Sequence, residues 1–335
     1  MAQCQAASPE VISNQTESGG IAMNSFVRVG RSGLKLSSIT FGSALTIGTE
    51  KTDVAFAQEM VDAAWGLGIR SFDTSNNYGM GNAESLLGQA LKKYPREAFV
   101  LATKGSWPIG PDVYHRGLSR KHIRWAFEQS IARLDVGYVD VYYAHRYDPE
   151  VSMEEVVRTY NRLIDSGRIL YWATSEWPVE ALVECHEVCD RLGLEKPIAD
   201  QFIYSYAINR IGANGVRAFC ETNGVGMLGF SPLAQGLLTG KYRDGVPTGS
   251  RISKSAQIGY DKTEKIYEQN KERIDHFVSA CREFDVKGSH AALQWVLRTG
   301  VLPVLGASSP AQLEENVSAL QTAIPDEFWA RVDSF

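Results

Sequence analysis

The stretch Gly68-Ile69-Arg70-Ser71-Phe72-Asp73-Thr74, running on to Tyr78, is the one whose reading decides the fold. A short apolar run stops at a carboxylate, and a helical pattern follows at 83–93. That is a buried strand feeding a helix. The unit recurs. Apolar runs at 38–41, 98–102, 138–143, 168–173, 198–201, 225–230 and 301–305 each precede a helical pattern. Those patterns fall at 53–66, 119–134, 152–166, 178–192, 213–221, 263–284 with 289–299, and 310–321. The local punctuation agrees: Ser119 suits an N-cap, Gly167 a helix end, and Pro178 a first turn. Ahead of the first unit, residues 26–29 and 34–36 flank Gly30-Arg31-Ser32-Gly33, which reads as a β-hairpin. Continuous apolar strands alternating with helices imply a parallel sheet covered by helices. Eight units suffice to close a (β/α)8 TIM barrel, and the strand count alone leaves an open doubly wound sheet as the alternative.

The 335 residues exceed the roughly 250 of such a barrel by a tail and a long loop. Residues 1–24, rich in Ser, Gln, Glu and Gly, are expected to be a disordered tail, and residues 25–335 a single barrel domain. The tail lacks the basic start and apolar core of a signal peptide. Hydrophobic residues at 44% and charged residues at 22% exclude a wholly disordered chain. A net charge of −5 leaves no electrostatic footprint for nucleic acid or an anionic membrane. No apolar run reaches the roughly 18 residues of a membrane span. Five cysteines, an odd and sparse number, point to free thiols in the cytoplasm. Cys185, His186 and Cys189 share a helix, but no second ligand pair follows, so no metal site is expected.

Polar residues stand at the C-terminal ends of the strands, where the chemistry of a barrel belongs. Asp73 ends one strand and Tyr78 follows it; Lys104 ends another; His145 follows a third. Ser175, Gln201 and Ser231 hold the same place on three more. Singly, each has a plain reading: Asp73 as a turn or cap, Tyr78 as packing, Lys104 as a snorkelling side chain, His145 as structural. Together they make a general-acid site. A tyrosine hydroxyl is a weak donor at neutral pH, and a neighbouring Lys104 ammonium would lower its pKa. Asp73 would hold Lys104, and His145 would hydrogen-bond a substrate carbonyl oxygen beside Tyr78. The arrangement suits reduction of a carbonyl by hydride. Two glycine patterns are false leads: Gly79-Met80-Gly81 lacks the final glycine of a dinucleotide fingerprint, and Gly236 to Lys241 is too short for a P-loop.

Residues 68–74 with Tyr78-Gly79 and Glu84-Ser85-Leu86-Leu87-Gly88, together with Thr103-Lys104 and His145, resemble the aldo-keto reductases over nearly all of residues 26–322. Residues 117–123, 171–177 and 231–242 are similar to the branch that holds the potassium-channel β subunits and related microbial NADPH-dependent reductases. The resemblance implies a (β/α)8 barrel with an N-terminal hairpin, a long cofactor-covering loop, and NADPH as cofactor. Asp73, Tyr78, Lys104 and His145 become the catalytic tetrad. Ser43, with Asp73, falls near the nicotinamide; Ser175 and Gln201 would hold its carboxamide. Ser231, Leu233, Gly236 and Lys241 would cradle the pyrophosphate. Ser250 and Arg251 would reach the adenosine phosphate, and Gly306, Ser308, Gln312, Glu315 and Asn316 the adenine end. Helix N-termini suit phosphate, and an arginine fork suits a 2′-phosphate.

The substrate pocket is expected to draw on Ala44, Trp107, Tyr114, Arg146, Tyr147 and Trp177. Channel β subunits usually carry Asn where this chain has His145, which favours an active reductase. Three readings stand at this point: a reductase of aldehydes, ketones or conjugated enones; a pathway enzyme reducing a nucleotide-linked keto-deoxysugar, to which Arg146 would be suited; and an NADPH-binding regulatory subunit with slow turnover. The branch often forms homo-oligomers.

Overall fold

The structure, a computed structural model, describes residues 25–243, 245–248, 250, 252–253 and 263–335. Eight parallel strands close on themselves: β3 (Thr40–Gly42), β4 (Ser71–Asp73), β5 (Val100–Gly105), β6 (Val139–Ala144), β7 (Ile169–Ser175), β8 (Ala199–Ile203), β9 (Gly226–Phe230) and β10 (Leu302–Leu305). Closure is made by β10, which pairs with β9 on one side and β3 on the other. This settles the barrel against the open sheet. The short strands are buried along almost their whole length, as a sheet covered by helices requires.

The helices α1 (Val54–Gly66), α2 (Asn82–Leu91), α3 (Arg120–Leu134), α4 (Met153–Asp165), α5 (Val179–Leu192) and α6 (Val216–Asn223) follow the strands in alternation. Then come α7 (Thr263–Glu283), α8 (Gly288–Arg298), α9 (Pro310–Val317) and α10 (Asp326–Asp333). Side-chain oxygens start several of them. Asp53 accepts from the Phe56 N–H, Ser119 from His122, and Ser309 from Gln312. The sequence pattern at 310–321 splits in the structure: α9 stops at Val317, and a 3-10 turn, Ser318–Gln321, continues it.

The hydrophobic core has two parts. An outer layer between strands and helices holds residues such as Phe72, Phe127, Tyr160 and Trp172. An inner layer fills the barrel with Ala102, Val141, Tyr143, Ala173, Leu228 and Val304. Burying each large side chain contributes about 1.5–3 kcal/mol. The N-terminal hairpin, β1 (Phe26–Arg28) and β2 (Lys35–Ser37), adds Val29 and Leu36 to the inner layer. It therefore plugs the N-terminal end of the barrel. Gly30 is required in its turn: φ is +53°, and a Cβ there would collide with the Gly224 carbonyl. With that end sealed, the open end is the one where the strands stop at polar residues.

Residues 1–24, expected to be a tail, lie outside the described residues, as do residues 244, 249, 251 and 254–262 of the 231–262 loop expected to cover a cofactor. Among the described residues, no helix is long and apolar enough to cross a membrane, and no group of three His, Cys, Asp or Glu side chains could hold a metal ion. The described cysteines, Cys185, Cys189, Cys220 and Cys281, are free and buried.

Candidate active site

The register of the barrel brings Asp73, Lys104 and His145 to one rim. Asp73 is the last residue of β4 and pairs with Ala102; Lys104 on β5 pairs with Tyr143; His145 follows β6 directly. Tyr78 opens a 3-10 turn, Tyr78–Gly81, between β4 and α2. Lys104 is wholly buried. Its ammonium donates to Asp73 Oδ1 in a short contact, to the Thr74 carbonyl at 2.9 Å, and to Tyr78 Oη at 3.4 Å. The other carboxylate oxygen of Asp73 accepts from Gln201 Nε2 at 3.0 Å. All three ammonium protons thus have acceptors, and both carboxylate oxygens have donors, which is what a buried ion pair needs to be tolerated.

The electrostatics follow from this packing. Burial opposes the Lys104 charge, but Asp73 and Tyr78 outweigh it and leave its pKa above the ordinary lysine value. Burial raises the Tyr78 pKa, with Asp73 adding and Lys104 and Arg146 opposing. The expected downward pull of Lys104 on Tyr78 is therefore present but smaller than the effect of desolvation. Burial, then Lys104 and Arg146, hold His145 well below its ordinary value, so its imidazole is neutral. Its Nδ1 lies 3.1 Å from Ser75 Oγ.

Asp73, Tyr78 and His145 line a cavity of about 920 Å³. The same cavity takes in Gln201, Ser231, Leu233, Gly236, Lys241 and Ser250, and then Gly306, Ser308, Gln312, Glu315 and Asn316. It is therefore a single trough from the rim of β4–β6 to the N-terminus of α9. The backbone between Ser231 and Gly236 is unusual: Ser231, Ala234, Gln235 and Gly236 all have positive φ, at 58°, 46°, 57° and 91°. Within this stretch the Ala234 N–H donates to the Ser231 carbonyl and the Gly236 N–H to the Leu233 carbonyl, both at 2.9 Å, which holds the tight turn. Gly236 packs under Lys241; a Cβ there would lie 2.7 Å from Lys241 Cε. Two side-chain amides on the trough wall, Gln235 Nε2 and Asn316 Nδ2, are buried without a hydrogen-bond partner.

Other expected residues fall differently. Ser43 is buried beside the trough and donates to Thr74 Oγ1 at 2.9 Å. Ser175 accepts from the Arg146 guanidinium at 3.2 Å and does not line the trough. Ala44, Trp107 and Arg146 line it at the rim, with Arg146 5.2 Å from the Trp107 ring centroid. Tyr114, Tyr147 and Trp177 are not brought to it. Tyr114 is 55% exposed and lies under the Lys121 ammonium. Trp177 is buried because its indole N–H donates to the Ala144 carbonyl at 3.2 Å, and Tyr147 packs edge-on against it. Arg251 lies outside the described residues. The trough also holds residues that the sequence reading missed: Leu45, Glu50 and Asn77 near the rim, and Arg282, Asp285, Lys287 and Ser289 at the α7–α8 junction.

The sequence profile of the aldo/keto reductase family matches residues 38–335. A Schizosaccharomyces pombe protein, provisionally named a voltage-gated potassium channel subunit beta, is 38% identical over 300 residues, which is 88% of this chain and 87% of that protein. Proteins of Arabidopsis thaliana and Oryza sativa subsp. japonica with similarly provisional names are each 33% identical, over 303 and 302 residues, covering 88% of this chain and 90% of each relative.

Proposed function

The chain belongs to the aldo/keto reductase family, and from that premise we propose that it reduces a carbonyl compound with NADPH, using Tyr78 as the proton donor. The observation that carries the reading is the buried chain Asp73–Lys104–Tyr78 at the head of a long trough. The trough suits a dinucleotide on its own chemistry. The Lys241 ammonium offers a donor and a charge for a pyrophosphate, and the unpartnered amides of Gln235 and Asn316 await acceptors. When bound, NADPH supplies the hydride. Gln201 and Ser43 then stand at its nicotinamide end, and Gly306, Ser308, Gln312 and Glu315 at its adenine end. Arg251 is assigned the 2′-phosphate.

The protein's own work is proton delivery to the oxygen on which charge develops. Tyr78 is held protonated by burial. The Lys104 ammonium, fixed by Asp73, stabilises the phenolate that remains after the proton leaves. The pair costs no reorganisation at that moment because it is already hydrogen-bonded. His145 is neutral, so it is not the proton source by charge. Trp107 and Arg146 shape the rim that a substrate passes.

The test is turnover of the full chain with NADPH and a panel of an aldehyde, a ketone, a conjugated enone and a keto-sugar nucleotide, followed by the absorbance of the reduced nicotinamide. Turnover on at least one is expected, lost in Tyr78→Phe with the Kd for NADPH unchanged. Tight NADPH binding without turnover on any carbonyl refutes the reductase. The names of the relatives would then favour the second reading, an NADPH-binding subunit of a channel assembly. A Kd ratio of NADPH to NADH near one refutes the assignment of Arg251.

A further inference from the structure

Strand β7 ends at Ser175, opposite Gln201 of β8, and Glu176 is the first residue beyond it. Its φ is +56°, in the left-handed region that a residue with a side chain adopts only at a cost. Such a backbone is held by its surroundings. The hydrogen bonds show what the conformation achieves. In a parallel ladder a residue gives its N–H to the neighbouring strand and takes an N–H from two residues further along that strand. The Glu176 N–H does donate to the Gln201 carbonyl, at 3.0 Å. The Ile203 N–H, which the Glu176 carbonyl would ordinarily accept, donates instead to Glu176 Oε1 at 2.5 Å. The carboxylate thus stands in for a carbonyl that the left-handed turn has swung away. The chain leaves the sheet with both ladder bonds kept.

The residue held between these two bonds is Gln201. Its carbonyl is one anchor, and the N–H two residues on is the other. Its side chain lines the trough and donates from Nε2 to Asp73 Oδ2 at 3.0 Å. An ionised carboxylate only accepts, so that bond admits one orientation of the amide. We propose that Glu176 is a positioning residue: its carboxylate, as a surrogate ladder acceptor, fixes the end of β8 and so holds Gln201 in place against Asp73 and the nicotinamide end of the cofactor. Glu176 does not line the trough itself, so it acts through Gln201. A group in a site must be held to within about half an ångström to act. The last bonds of a ladder are therefore where holding counts, and a bond from a backbone N–H to a carboxylate is stronger than one to a neutral carbonyl. The cofactor half of this proposal rests on the reductase reading above; the fixing of β8 does not.

Two variants of the full chain separate the carboxylate from the backbone. Glu176→Gly takes up the left-handed conformation without strain and removes the acceptor; Glu176→Gln keeps an acceptor oxygen. Amide hydrogen exchange at Ile203 should quicken about tenfold or more in Glu176→Gly and stay slow in Glu176→Gln. Unchanged exchange in Glu176→Gly overturns the proposal at its first step. Binding is then measured by calorimetry with NADPH and with adenosine 2′,5′-bisphosphate, which carries the adenosine half and no nicotinamide. The Kd for NADPH should rise about tenfold in Glu176→Gly, the worth of one lost hydrogen bond, and return most of the way in Glu176→Gln. The Kd for the bisphosphate should stay within about twofold in both variants. An equal loss for the two ligands marks a general loosening and overturns the positioning role, as does an unchanged Kd for NADPH. A wild type that binds neither ligand refutes the cofactor reading, while exchange at Ile203 still decides whether Glu176 holds β8.

Discussion

Asp200, on β8 beside Gln201, gives the sharpest test of the electrostatics of the barrel mouth. It is almost wholly buried, and Thr174 donates to its Oδ1 at 2.7 Å. Burial pushes its pKa from 3.8 up to about 7, outweighing the Thr174 bond. In the unfolded chain the group ionises near its ordinary value. Between those two pKa values the folded state therefore binds the proton that the unfolded state has released, so stability falls as pH rises through the window from about 4 to about 7. A rise of that size corresponds to about 4 kcal/mol in all, of which the larger part, roughly 2–3 kcal/mol, falls between pH 5 and pH 8. Asp200→Asn keeps an acceptor oxygen for Thr174 and removes the titration. The assay is reversible urea unfolding of both proteins at pH 5 and pH 8. The stability of Asp200→Asn relative to the wild type should rise by roughly 2–3 kcal/mol between the two pH values. The difference between variants cancels every other titrating group. A relative stability that is the same at both pH values would refute the claim that Asp200 is forced to hold its proton.

Lys104→Met leaves Asp73 buried opposite an apolar side chain; turnover should fall by about 100- to 10,000-fold, and unfolding should show a loss of about 3–5 kcal/mol from the uncompensated carboxylate. Gly236→Ala forces a Cβ against Lys241 at a backbone φ of +91°; isothermal titration should show NADPH binding weakened at least about tenfold, about 1.4 kcal/mol. Glu84, wholly buried, accepts from Thr103 Oγ1 at 2.5 Å and pairs with Arg133 at 2.6 Å; Glu84→Ala should destabilise the chain by about 3–5 kcal/mol in urea unfolding.

Much of the barrel can be read from the chain because each unit carries two concordant signals, an apolar run and a helical stripe. Asp73, Lys104 and His145 were legible for a related reason: a charged or polar residue at the end of a buried strand is out of place unless the rim uses it. The pocket residues show where that logic stops. Tyr147 and Trp177 stand about as near to strand ends in sequence as Trp107 does, and Tyr114 shares a loop with Trp107, yet the path of each loop decides whether the ring faces the trough. Trp177 turns inward where its N–H meets the Ala144 carbonyl, a contact between the loop after β7 and the end of β6 that spacing does not reveal. Residues 285–288 read as a link between two helical patterns, and nothing local says that this link, with Arg282 and Ser289 at its flanks, meets the trough. The C-terminal helix α10 was missed, although Phe328, Trp329 and Val332 have helical spacing and bury against the rest. Ser75 looks like an ordinary turn residue in sequence; only the fold sets it against a ring nitrogen 70 residues away.

The groups around Tyr78 fix how the reaction should respond to pH. Tyr78 and Lys104 are held above their ordinary values of 10.0 and 10.5, and His145 well below 6.5. None of the three changes charge near neutrality, so kcat/KM should be level there. The group that does titrate is Asp200, at about 7. Its charge appears within the field of Arg146, which donates to the His145 carbonyl at 2.6 Å and to Ser175. Ionisation of Asp200 would draw that guanidinium and shift the rim without removing the proton donor. The pH–rate profile should therefore show a shallow inflection near the Asp200 pKa, absent in Asp200→Asn, on an otherwise flat line. A profile that falls steeply through neutrality in both proteins would mean that a tetrad member titrates there, and the burial argument for Tyr78 and His145 would fail.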